Sequence, residues 1–271
     1  MALTQPHRGR AAEHGAALVS VAVRRIGLLV LALAGWELLA RILDSRAVPA
    51  VAPAFDALVS TVPSGPFWAA LGGTLQSWGL GMLLAAGIGL PLGLLIGSSP
   101  LAMRATRGVV EFLRTVPAIM LVPLAVLLFG ATVEMKVVLI TLSAVWPLLV
   151  HAAYGIGHVD AVARDSMRAF RLRRRDRVVF LYLPSALPLV ATGLRVAATV
   201  ALLISIGAEI VTSAPGIGYE IALGQANNAA PRSFVYVLLS GLLGVGINLG
   251  FGALERRVLF WHASQRARST A

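Results

Sequence analysis

Apolar residues fall along this chain in long blocks separated by short polar stretches. Six blocks stand out, at about Ile26–Leu43, Leu71–Gly97, Val109–Phe129, Val133–Tyr154, Leu187–Val211 and Phe234–Leu254. About 20 apolar residues cross the hydrocarbon core of a bilayer, and a helix is the form that satisfies its own backbone there. The pattern therefore predicts six transmembrane helices. The first block follows Arg24 and Arg25 and is trailed by Ala50-Val51-Ala52, which has the small-residue look of a signal-peptide cleavage site. It is longer than the roughly 7–15 residues of a signal sequence's apolar region, so it reads as an uncleaved span. In the second block Gly79, Gly81, Gly87, Gly89 and Gly93 are spaced to let a neighbouring helix approach closely, and Pro91 predicts a kink. Residues 45–66 hold Pro49, Pro53, Pro63 and Pro66, which suits an extended, partly interfacial connection with one short helix.

The stretch from Asp160 to Pro184 breaks this pattern. Val159, Val162, Ala163, Met167 and Phe170 recur at three-four spacing, while Asp160, Arg164, Asp165, Arg168 and Arg171 take the other side. Arg171 to Arg177 is then nearly all arginine, and Leu183-Pro184 is expected to end the segment before a new apolar run at Ala186. A short amphipathic helix between two spans cannot cross the bilayer. It must lie along the surface or dock into a partner.

Composition agrees with a membrane protein: 58% of residues are hydrophobic and the mean hydropathy is +0.82, more apolar surface than one soluble core could hide. The net charge of +11 would suit nucleic acid, but no soluble segment is long enough to present a basic face, so a nucleic-acid partner is not expected. The charge sets topology instead. On one side lie Arg8, Arg10, Arg24, Arg25, Arg104, Arg107, seven arginines between Arg164 and Arg177, Arg256, Arg257, Arg266 and Arg268, seventeen in all; the other side has only Arg41, Arg46, Lys136 and Arg232. That bias places both termini and the amphipathic helix in the cytoplasm. The expected organisation is a loosely ordered cytoplasmic tail over residues 1–22, a transmembrane domain over 23–261 containing a loop at 158–184, and a second tail over 262–271, with Trp261 as an interfacial anchor. The chain has no cysteine, which excludes disulfides and thiol chemistry, and its scattered histidines, His151, His158 and His262 among them, predict no metal site.

The segment from Asp165 to Pro184, followed by Leu187-Pro188 and Gly193-Leu194-Arg195, resembles the EAA loop of binding-protein-dependent ABC importer permeases. Asp165-Ser166-Met167 stands at the Glu-Ala-Ala position, Arg171 at the glycine, Leu181 at the isoleucine, and Leu183-Pro184 at the Leu-Pro. The arginine is a departure, since glycine permits a backbone conformation that arginine resists. Phe112-Leu113-Arg114-Thr115-Val116-Pro117, Pro123-Leu124, Phe129-Gly130, Ala208-Glu209 and Gly216-Ile217-Gly218 narrow the likeness to permeases of the nitrate, taurine and alkanesulfonate group, over roughly residues 50 to 261.

The resemblance implies an all-α, six-span, type I ABC importer permease fold in a bacterial inner membrane, with a cytoplasmic coupling helix. It implies a second permease copy, a dimer of cytoplasmic ATPase subunits carrying ATP and magnesium, and an external binding protein that delivers a small solute, a small anion being the leading class and a heterocyclic precursor also allowed. The coupling residues it implies are Val162, Asp165, Ser166, Met167, Arg168, Phe170 and Arg171; the path or gate takes Arg114, Pro117, Ser205 and Glu209; and Gly216 with Gly218 forms a tight loop that touches the binding protein.

The residues themselves add that this chain is not the motor and not an enzyme. A phosphate-cradling loop needs a lysine after its glycines, and the only lysine here is Lys136, at the outer end of the fourth span. Intramembrane charge points to function by default, but Arg114 and Arg195 are near enough to an interface to snorkel, and Glu209 is expected to brace the loop from Thr212 to Gly218. Ser143, Thr199 and Ser205 read as packing groups. Two other classes compete. A gradient-driven secondary transporter should show paired intramembrane carboxylates and inverted repeats, and only Glu37 and Glu209 come close; a membrane-embedded enzyme should show an acid/base cluster, and none appears.

Overall fold

The computed structural model describes residues 8–43, 48–157 and 159–259. Arg46, His158, Trp261, His262 and the 262–271 tail lie outside them. The described chain is helical, running α1 (Arg8–Leu43), α2 (Val51–Thr61), α3 (Gly65–Gly97), α4 (Pro100–Thr115), a 3₁₀ turn (Ala118–Leu121), α5 (Val122–Phe129) and α6 (Val133–Gly157). It continues through α7 (Ala161–Ala169), a single turn α8 (Arg174–Arg177), a π-helical stretch (Val178–Tyr182), α9 (Leu183–Thr212), α10 (Ile217–Ala226) and α11 (Ala230–Val258). The amino-terminal segment expected to be loosely ordered belongs to α1 from Arg8 onward. Its alanine-rich, proline-free sequence favours that extension.

Among the described residues five helices are long and apolar enough to cross a membrane, and a sixth span is formed if α4 and the 118–129 segment count together. The expected third span is thus broken, with α4 and the 118–129 segment meeting at 67°. Two features cause the break. Pro117 cannot donate a backbone hydrogen bond, so Val116 leaves the helical region with ψ near 114°. Moreover, α4 carries Arg104, Arg107, Glu111 and Arg114 along one flank, a charged stripe that a helix surrounded by lipid would not tolerate.

The core sits where α3, α6 and α9 meet, built from Met82, Ala85, Ile140, Ala144, Val145, Leu148, Ala197, Ala198 and Ala201. Small residues set the spacing. A Cβ added at Gly93 would lie 2.3 Å from the carbonyl oxygen of Leu149, and one at Gly89 would lie 2.8 Å from that of Val145. Gly79 and Gly87, from the same run, face open space, so only part of the glycine pattern serves close packing. Large aliphatic side chains turn outward around the bundle, with Leu83 71%, Leu127 81% and Leu242 65% exposed, as a lipid-facing wall requires. The last helices of the bundle are tied by ion pairs, Arg195 of α9 to Glu255 of α11 and Arg232 to Glu220 at 2.6 Å.

At the start of the chain, Trp36 donates through Nε1 to the carbonyl of Pro49, and Glu37 accepts from the backbone N–H of Val51. These bonds fold the 49–51 segment back against the end of α1. Leu183-Pro184 does not end the charged segment as expected. The helix from Arg174 runs on into α9, and the π-helical stretch just before Pro184 absorbs the backbone bond that the proline ring cannot make.

Candidate functional site

Two centres lie at opposite ends of the bundle. At the end away from the arginines, the early turns of α3 and α6, the last turn of α9 and the 213–216 loop enclose a buried ion pair. Lys136 and Glu209 are each 0% exposed, with Nζ 2.9 Å from Oε1. An ammonium has three protons to donate, and all three are used: the other two go to the carbonyl oxygens of Pro215 at 2.7 Å and Gly73 at 3.3 Å. The carboxylate accepts from the Thr74 hydroxyl at 3.0 Å, from Ser205 at 3.2 Å and from the Gly218 N–H at 2.9 Å. Thr74 in turn accepts from the Ile217 N–H at 2.9 Å, and Ser77 lies 3.1 Å from Ser205.

A buried charge pair is tolerated when such additional bonds replace the lost hydration. Here the replacement is complete, and it pins the loop. Gly216 and Gly218 are required by space: a Cβ at Gly216 would sit 2.1 Å from the Glu209 carboxyl carbon, and one at Gly218 2.3 Å from the carbonyl oxygen of Ile206. Both glycines are buried within the subunit. The exposed residues of that loop are Ser213 and Pro215.

Glu209 does hold the 212–218 loop. Its chief partner was not foreseen: Lys136, counted with the outer-side charges at the end of the fourth span, is the fourth residue of α6 and points inward. The available signal was a lone lysine in an otherwise arginine-only cationic set, set at the same depth as the acid of the fifth span. Ser205 joins this network, whereas Arg114 and Pro117 are exposed at the break between α4 and α5. The path residues therefore divide between two places.

At the arginine-rich end stands α7. Asp160 caps it, its carboxylate accepting from the N–H groups of Val162 at 2.6 Å and Ala163 at 3.3 Å. Its other end is closed by a pair of bonds, Leu172 N–H to Met167 carbonyl at 3.2 Å and Arg171 N–H to Arg168 carbonyl at 2.9 Å. This is the Schellman arrangement, whose turn residue must be left-handed. That residue is Arg171, at φ 52°. The arginine adopts the left-handed backbone that a glycine at this position of the EAA-like pattern would take without cost, and the turn survives the departure. Between its caps α7 is open: Val162 is 74% and Phe170 79% exposed, and Asp165, Ser166 and Arg168 are exposed beside them, while Met167 is half-buried. Asp165 and Arg168 approach only to 3.5 Å.

An apolar-flanked helix held open at the charged end of a broken-helix bundle has the form of a docking lever. The sequence profile of binding-protein-dependent transport system inner membrane components matches residues 89–260, from the last third of α3 past the end of α11. The chain belongs to that family. It is accordingly the membrane-embedded, non-catalytic subunit of an ABC importer whose ATPase is a separate subunit. Among the importer permeases most similar to it is the nitrate import permease protein NrtB of Leptolyngbya laminosa, 28% identical over 95% of this chain and 97% of the relative. The taurine transport system permease protein TauC of Escherichia coli is 28% identical over 72% of this chain and 71% of the relative. The fold is shared with a chain of the MetNI methionine ABC transporter in inward-facing conformations, at a TM-score of 0.59 and 20% identity, over 69% of this chain and 93% of that one. The all-α, multi-span architecture expected of an importer permease is thus the observed one.

Among the described residues no group of three or more histidine or acidic side chains is placed to hold a metal ion.

Proposed function

We propose that this permease pairs with a second copy of itself to form the membrane path for a small oxyanion-bearing solute of the nitrate or sulfonate class, delivered by an external binding protein. The exposed, doubly capped α7 carries this reading. Two copies present two such helices, one for each subunit of an ATPase dimer, and ATP with magnesium belongs to that dimer. Val162, Met167 and Phe170 supply the apolar contact, while Asp165, Ser166, Arg168 and Arg171 set its register. Closure of the ATPases around nucleotide draws the two α7 helices together and rocks the spans toward an outward-facing state.

The seventeen-to-four bias of basic residues supports a cytoplasmic position for α7 and both termini, which puts the Lys136–Glu209 centre and the Ser213–Pro215 surface on the side of the binding protein. Arg114 and Pro117, at the break between α4 and α5, are assigned to the path. Ser205 and Glu209 hold the outer gate. The residue ranges follow: a tail over 1–22, the permease domain over 23–261 with its coupling loop at 158–184, and a tail over 262–271.

The decisive experiment changes Met167→Asp together with Phe170→Asp. The expected result is normal membrane insertion with loss of ATPase copurification; retained copurification refutes the docking. The solute class is read from the ligand that copurifies with the partner binding protein, and a ligand without an anionic group would refute it.

A further inference from the structure

At the arginine-rich end a cleft of about 430 Å³ opens between α4, the end of α6, α7 and the π-helical stretch. Arg104, Arg164 and Arg168 line it, with Tyr154 and Tyr182. Arg164 and Arg168 are one turn apart and so share a face of α7. Among the described residues no carboxylate lines the cleft. Arg168 leans toward Asp165, but neither Arg104 nor Arg164 has an ion-pair partner among the described residues, and the Nε of Arg164 is buried without a hydrogen-bond acceptor. A buried guanidinium N–H without an acceptor costs free energy, and nearby like charges add to that cost. Met103 and Ile156 give the cleft an apolar side, and the neighbouring Leu101 is 77% exposed.

From this geometry we infer an anion site for a phosphate group, held by Arg104 and Arg164. Guanidinium forks match phosphate oxygens with paired hydrogen bonds, and the Tyr182 hydroxyl can donate to a remaining one. A basic pocket beside an apolar wall at the cytoplasmic end of membrane helices suits the headgroup of an acidic phospholipid; free phosphate has the same chemistry. Because Arg104 belongs to α4 and Arg164 to α7, the bound group fastens the coupling helix to the helix before the break. The inference uses the proposed orientation only to say which leaflet provides the lipid.

The test uses the permease purified with its ATPase in phosphatidylcholine nanodiscs, measuring binding of short-chain phosphatidylglycerol in one arm and inorganic phosphate in the other. Loss of one charge-assisted bond is worth roughly tenfold in affinity. Arg104→Gln and Arg164→Gln should each weaken binding by about that factor, while Arg173→Gln with Arg175→Gln, nearby but outside the cleft, should leave it unchanged. Arg164→Lys, which keeps the charge and loses the fork, provides the check if a glutamine variant fails to assemble. Binding in the first arm alone identifies a lipid site, and binding of phosphate with the same arginine dependence identifies a soluble anion site. Absence of binding in both arms, or equal weakening by the Arg173 and Arg175 changes, overturns the inference. The proposed ATPase docking is scored separately by copurification, so either idea can fail alone.

Discussion

Replacing Lys136 by methionine keeps most of the side-chain volume and removes only the ammonium. The Glu209 carboxylate would then remain at a position with 0% exposure, deprived of its 2.9 Å cationic partner, and the carbonyls of Pro215 and Gly73 would lose their donor. Removing one member of a buried pair typically costs about 3–5 kcal/mol, because the other charge stays behind without hydration. Changing Glu209→Gln as well removes that stranded charge, and the amide can still accept from Thr74 and Gly218. The double variant should therefore recover about 2 kcal/mol of the loss despite carrying one more substitution. Thermal unfolding in detergent, followed by size-exclusion chromatography, gives the order: wild type, double variant, then Lys136→Met. Protease cleavage near Pro215 gives a local reading, since the single variant should free the 213–216 loop. The exposed pair Arg107–Glu111, with side chains 70% and 50% accessible, is the control, and Arg107→Gln should produce no measurable shift. If Lys136→Met is no worse than the control, or the double variant is worse than the single, the pair does not hold the loop.

Two further outcomes are expected. Arg171→Gly should stabilise the end of α7 by about 1 kcal/mol, because glycine occupies the left-handed turn without the Cβ clash; hydrogen exchange at the Arg171 and Leu172 amides should slow, and faster exchange would contradict the turn assignment. Gly93→Ala should lower the midpoint of thermal unfolding, since its Cβ would lie 2.3 Å from a backbone oxygen of α6, whereas Gly87→Ala, with nothing within 4 Å, should leave it equal or higher. Equal effects would mean that α3 and α6 are not packed as described.

Much of the architecture was legible from periodicity because lipid imposes one rule on every span: an unbroken apolar run long enough to cross. The surface helix was legible for the opposite reason, as its polar face has no place in a bilayer. The break in the third span was less visible. Val109 to Phe129 satisfies the length rule, and only the stripe of Arg104, Arg107, Glu111 and Arg114 ahead of Pro117 betrays that its first part is not a lipid-facing rod. The Lys136–Glu209 pair left only the weak trace of a lone lysine, since 73 residues separate its members and their meeting depends on α6 and α9 being neighbours. Sequence placed the acid near the loop it holds. Its cation was counted only as an outer-side charge.

The completeness of the Lys136 coordination shell bears on how this subunit can move. Sliding α9 along α6 by part of a turn would pull a buried ammonium and carboxylate away from the ligands they hold in this arrangement. Three helices stitched in this way travel as one block. Compliance for a transport stroke is then expected at two of the places where regular helix is interrupted, the 116–117 joint and the π-helical stretch at 178–182, and a stiffer residue at either should slow the cycle without loosening the block.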